Sequence, residues 1–137
     1  NGVCLYKITN DENYLNEAKA SAQGAYGVFV RSVNGIGLAY PDHDPWFNTK
    51  LLRAYIDIAP YDPNVKQYID VYANYINYAY EHARTQEGFF YEDWTGKDPS
   101  FANCCCGKDP KRASQLLRQD AVIESYAVLA LYYNSQL

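Results

Sequence analysis

The chain has 137 residues, 48% of them hydrophobic and 20% charged, which fits one small globular domain and excludes a disordered polymer. Its net charge of -4 and its lack of any Lys/Arg cluster exclude a nucleic-acid surface, because neutralising phosphates takes concentrated positive charge. No run approaches the roughly 18 uninterrupted apolar residues of a membrane helix, so no membrane span is expected.

Residues 1–8 read as the end of a helix, halted at Thr9-Asn10-Asp11, where small polar side chains offer capping oxygens to free backbone N–H groups. The chain opens on Asn1 with neither Met nor a secretory signal, and Gly2-Val3-Cys4-Leu5-Tyr6 is already apolar, so its start is expected to be an interior cut. From about 12 to 33, Leu15, Ala18, Ala22, Ala25, Tyr26, Phe29 and Val33 recur every three or four residues and predict a second helix with one continuous stripe. Residues 34–45 break it with Gly35, Gly37, Pro41, Asp42 and Asp44.

Asp44-Pro45 supplies an N-cap followed by the residue best suited to a first helical turn, so a third helix is predicted from Pro45 to the approach of Pro60. Asp62-Pro63 repeats that signal for a fourth helix, whose Val65, Tyr68, Ile69, Tyr72, Ile76 and Ala79 keep helical spacing to about Arg84. A long loop over 86–114 follows, and a last helix over about 115–136 is apolar on nearly every side, as suits a helix buried all round, although five helices alone would leave it without full cover.

Short turns force successive helices antiparallel, so connections alternate between the two ends of a helical array. The short connections, 9–11 and 60–62, fall at one end and the long ones, 34–45 and 86–114, at the other. That second end gathers Tyr40, Asp42, His43, Asp44, Trp46, Glu87, Phe89, Phe90, Tyr91, Glu92, Asp93 and Trp94. Flat rings cover the apolar C–H faces of sugars and carboxylates accept from paired hydroxyls, so the mixture suits a carbohydrate cleft.

Competing roles accompany most of these residues. Each of the fifteen tyrosines is a packing residue unless its position says otherwise. Asp44 and Asp62 read first as N-caps, and His43 as solvated or a polar contact. Glu92-Asp93 reads as solvated loop charge rather than a catalytic acid and base. Gln119 and Asp120 are polar exceptions in the last helix and either bond locally or face a cleft. Arg53 reads as a buried-pair or surface arginine ahead of a binding role. Cys4 and the run Cys104-Cys105-Cys106 match no zinc spacing, and His43 and His82 lie far apart, so neither metal nor cofactor is expected.

Four stretches give the chain a likeness to a known family. They are Leu5-Tyr6-Lys7-Ile8-Thr9-Asn10-Asp11 with Tyr14-Leu15, Asp44-Pro45-Trp46-Phe47 through Arg53, Gly88-Phe89-Phe90-Tyr91 with Asp93-Trp94-Thr95-Gly96, and Leu116-Leu117-Arg118-Gln119 through Glu124. In order and interval over nearly the whole of 1–137, the chain resembles the C-terminal portion of glycoside hydrolase family 76, the endo-α-1,6-mannanases. The second stretch keeps Phe47 and Arg53 of the family's F-K-G-I-F-x-R pattern but has Asn48 and Thr49 in place of its Lys and Gly.

The resemblance implies an all-α fold, antiparallel hairpins forming part of an (α/α)6 toroid, with the long-loop end as the active-site face. It implies a retaining mechanism on α-1,6-linked mannan, carried by two neighbouring aspartates in an earlier part of the domain. No Asp-Asp occurs in these 137 residues, so no catalytic residue is assigned here. Trp46, Phe47, Asp93, Trp94, Asp44 and His43 are the expected substrate-binding residues. The expected partners are a polysaccharide or oligosaccharide and the missing N-terminal part of the same domain, in a periplasmic, cell-surface or extracellular setting. Two other readings stay open: a non-catalytic helical array that binds a glycan or protein, and a toroid that binds glycan after losing catalysis.

Overall fold

A computed structural model describes residues 2–41, 45–91, 94 and 116–137. These residues are mostly helical. In chain order they form α1 (Gly2–Thr9), α2 (Glu12–Phe29), strands β1 (Arg31–Val33) and β2 (Gly37–Ala39), α3 (Pro45–Ile58), α4 (Val65–His82) and α5 (Leu116–Asn134).

Capping chemistry sets the first boundary. The Thr9 hydroxyl donates to the Leu5 carbonyl at 2.8 Å and accepts from the Asp11 N–H at 3.3 Å. Asn10 turns the chain at φ 56, and Asp11 then caps α2 by accepting from the Asn13 N–H at 2.9 Å. At the α3–α4 junction Asp62 accepts from the Asn64 N–H at 3.0 Å, and α4 starts at Val65, two residues beyond Pro63.

Helix α2 stops four residues short of the predicted Val33. Val30 is extended (φ -75, ψ 132), and residues 31–33 pair antiparallel with 37–39 in the register Arg31↔Ala39, Ser32↔Leu38 and Val33↔Gly37. Asn34-Gly35, a dipeptide suited to hairpin turns, lies between the strands. Gly35 and Gly37 adopt φ 83 and 97, which a side chain would strain. The segment read as a helix end and a loop is therefore a small hairpin, because positive-φ turn chemistry outcompetes the weak helical stripe around Val33.

Helices α3 and α5 lie side by side in the same direction, with α4 antiparallel to both. Thr49 meets Ala121 and Ser125, and Arg53 meets Glu124, whereas Tyr126 reaches Ile76 and Tyr133 reaches Asp70. Leu52, Ile58, Val65, Ile69, Ile76, Ala79, Val122 and Leu129 fill the space between them.

Tyrosines do much of the remaining packing. Tyr26 stacks on Tyr68 with centroids 4.1 Å apart, and Tyr40 meets Tyr72 edge-on at 5.3 Å while donating to the Tyr68 carbonyl at 3.1 Å. Tyr55 is buried among them with no hydrogen bond of standard geometry, and burial pushes its ionisation up to about 12.

Helix α5 buries one flank, through Gln119, Ala121, Val122, Ser125, Leu129 and Tyr132, while Ile123 is 66% and Leu131 73% exposed on the other, the lack of cover expected of such a helix in a five-helix chain. An apolar sequence says that cover is favourable, but it does not supply a neighbour, and no described element lies over the outer side.

Candidate functional site

Both long connections reach the same end of the bundle. The Asn48 amide donates to the Pro41 carbonyl, which ties the end of the first connection to the opening turns of α3. Residues 83–91 fold back on themselves, with Gly88 at φ 94, Thr85 N–H donating to Phe89 at 2.8 Å and Tyr91 N–H to Ala83 at 2.8 Å. Gln119 then clasps this loop: its amide nitrogen donates to the Phe90 carbonyl at 2.9 Å and its oxygen accepts from the Phe90 N–H at 3.0 Å. Because Thr49 joins Ala121 at 3.1 Å, the first turns of α3 and α5 stand together.

The hairpin itself departs from strict alternation. Ala22 and Ala25 of α2 share a groove with Tyr55, Ile58 and Ala59 at the far end of α3, and Tyr26 stacks on Tyr68 in the first turn of α4. Helix α2 is thus displaced along the bundle, so β2 packs against α4 and, among the described residues of this connection, Pro41 is tied to the common end.

At this end Trp46 is half-buried with the Lys50 ammonium 4.1 Å over its ring, and Phe47 is 68% exposed. Arg53 reaches Glu124 Oε1 at 2.6 Å, and Lys50 approaches the same oxygen at 3.5 Å. Arg53 is therefore a surface ion-pair residue. Asn48 and Thr49, the two departures from the family pattern, are buried: Asn48 holds Pro41, and Thr49 donates or accepts within reach of Pro45, Ala121 and Ser125.

Trp94 does not join the surface. At 2% exposure it packs against Tyr75 (5.4 Å) and Phe90 (6.0 Å), so the expectation of a cleft ring is corrected to a packing ring beneath the rim. A tryptophan can bury more apolar area than any other side chain, and the Phe90 loop supplies a lid for it. His43, Asp44 and Asp93, together with the Glu92-Asp93 pair and the Cys104–Cys106 run, lie outside the described residues. Gln119 bonds the backbone of Phe90, 29 residues away in sequence, and Asp120 is exposed.

The sequence reading missed Lys50 and Glu124. Lys50 is four residues after Trp46, a spacing that stacks side chains on a helix and could have been read. Glu124 has no comparable local signal, since its cationic partners come from a different helix. A groove of about 1340 Å³ runs from Lys50 and Arg53 down α3, walled by Ala18, Ala22 and Ala25 on one side and by Val128 and Leu131 on the other. No helix among the described residues is long and apolar enough to cross a membrane.

Three of the four family-like stretches meet in this arrangement: the second and fourth through Thr49–Ala121 and Arg53–Glu124, the third and fourth through Phe90–Gln119. Comparison of the chain with family models, with curated proteins and with solved structures returned no match.

Proposed function

We propose that the chain is the C-terminal part of an (α/α)6 toroid similar to glycoside hydrolase family 76, supplying cleft walls and subsites for α-1,6-linked mannan. Two neighbouring aspartates in the preceding part of that domain perform the retaining chemistry, one as nucleophile and the other as acid and then base. The parent enzyme works in a periplasmic, cell-surface or extracellular setting.

The meeting of three separated motif stretches at one end carries this reading, because unrelated likenesses would have no reason to converge. Around that junction Trp46 and Phe47 offer partly open rings, suited to the C–H faces of hexoses. His43, Asp44 and Asp93 belong to the same proposed wall by sequence position.

The test is retention on immobilised α-1,6-mannan together with release of reducing ends. The chain is expected to be retained, to lose retention on Trp46→Ala/Phe47→Ala substitution, and to release no reducing ends. Robust hydrolysis abolished by replacing a carboxylate of this chain, or no retention at all, refutes the proposal.

A second reading, a non-catalytic helical module for a protein partner, is favoured by the uncovered aliphatic flank of α5 around Ile123 and Leu131. It predicts no mannan retention by the wild-type chain.

A further inference from the structure

Two cations converge on one carboxylate oxygen beside an aromatic ring. Lys50 Nζ lies 3.5 Å and Arg53 Nη2 2.6 Å from Glu124 Oε1, and the same Lys50 ammonium sits 4.1 Å over Trp46. A bridge between α3 and α5 needs only one of these cations. The second leaves the cluster with a surplus positive charge on a chain whose net charge is -4.

Both cationic side chains are about half exposed (48% and 54%), so a ligand can reach them. Because both engage the same oxygen, Glu124 fills one anion position, while the arginine fork retains further donors in a plane that matches a carboxylate or phosphate. Trp46 flanks that position on one side, and the groove along α3, to which Lys50 and Arg53 also contribute, opens on the other.

We propose that Trp46, Lys50 and Arg53 form a subsite for a negatively charged sugar unit, with Glu124 as the internal anion that its acidic group displaces. The sugar ring lies against Trp46 and the acidic group, a carboxylate or a phosphate, takes the place of Glu124 Oε1 between the two cations. The inference rests on the glycan reading given above and adds the charge of the ligand to it.

Tryptophan fluorescence provides the assay, since Trp94 is buried and Trp46 is the ring that a quencher in solution reaches. Three probes are titrated into the full chain: neutral α-1,6-mannotriose, the same trisaccharide carrying a 6-phosphate, and a mannuronate trisaccharide. The acidic probes are expected to bind at least about fivefold more tightly than the neutral one, which corresponds to one unit charge pair at 4 Å in water. That preference should shrink with added salt, and whichever acidic probe is stronger identifies the carboxylate or phosphate source.

Arg53→Gln and Lys50→Met should each abolish the acid preference. Glu124→Gln should strengthen acidic binding by a similar factor, a gain that a merely structural bridge would not produce. Lys50→Met, at an exposed position, keeps the test decisive if the Glu124 or Arg53 variants fail to fold. Equal affinity for neutral and acidic probes, or no gain in a folded Glu124→Gln variant, overturns the charged subsite and leaves the glycan reading standing. Binding of none of the three probes overturns both.

Discussion

Replacing Ser125 by Ala removes the centre of a buried hydroxyl cluster, and the cost depends on what stands at position 72. Ser125 Oγ lies 3.0 Å from the Tyr72 hydroxyl, 2.8 Å from Thr49 Oγ1 and 2.8 Å from the Ala121 carbonyl, and all three side chains are essentially inaccessible. The five close approaches within the cluster share only three hydroxyl protons, so at most three can be hydrogen bonds at one time. Burial pushes Tyr72 up to about 12, with the Ser125 and Thr49 hydroxyls pulling the other way, so at neutral pH it is a donor that needs an acceptor.

Ser125→Ala leaves the Tyr72 hydroxyl without that acceptor, so it loses about 1 kcal/mol for the bond and about 1 kcal/mol or more for the stranded group. Tyr72→Phe loses only the bond, about 1 kcal/mol, because Ser125 can still donate to Ala121 or Thr49. The double variant loses that bond once and strands nothing new, so it should cost about 2 kcal/mol less than the sum of the singles. Urea denaturation of the four proteins measures this coupling. Additivity within about 0.3 kcal/mol would refute the shared-proton account.

Gln119→Leu should destabilise the fold by about 2–4 kcal/mol, since two hydrogen bonds go and both backbone groups of a buried Phe90 lose partners; the loosened lid should also shift Trp94 emission towards that of a wetter indole, and an unchanged spectrum would argue against the clasp. At Gly2 an added Cβ would meet the Tyr14 carbonyl oxygen at 2.5 Å and Ala18 Cβ at 3.0 Å, so Gly2→Ala should part α1 from α2. Faster amide exchange confined to residues 2–9 is the expected signature, and unchanged protection there would contradict the packing.

Asp70 provides a pH test: burial alone would raise its carboxyl, but hydrogen bonds from Lys66 and Tyr133 outweigh that and hold it below the ordinary value. A lowered folded pKa means stabilisation that is present above the unfolded value and lost as pH falls through the folded one. Asp70→Asn should therefore lower the melting temperature at neutral pH, with the difference fading as pH falls through the lowered folded value, and a gap that persists in strong acid would reverse the assignment.

Much of the local architecture is legible without coordinates. Thr9 and Asp11 make bonds to groups four and two residues away, so their capping roles follow from neighbours in the chain; Asp62, read as the cap of α4, instead accepts from Asn64 in the turn before the helix, and Asn64 takes the N-cap position. The stripes of α3 and α4 likewise repeat within one or two turns, which is why their spans were read to within two residues. The hairpin at 31–39 was signalled by Asn34-Gly35 but lost to a competing helical stripe, a conflict between two local signals rather than a lack of one.

The candidate site was legible only in part. Trp46 and Phe47 were placed at the correct helix start, whereas Trp94 has the same sequence credentials and turns inward, because the Phe90 loop and Tyr75 are there to receive it.

Composition and spacing determined by themselves that this chain makes helices, where most of them begin, and that its long connections carry aromatic rings. Only the tertiary structure decided which flank of an evenly apolar α5 is buried, that Gln119 holds Phe90, and that Glu124 gathers Lys50 and Arg53. The physical reason is range. Capping and periodicity act over a few neighbouring residues, but Thr49 finds Ala121 72 positions away, and no local pattern encodes which of many chemically suitable partners packing will bring near.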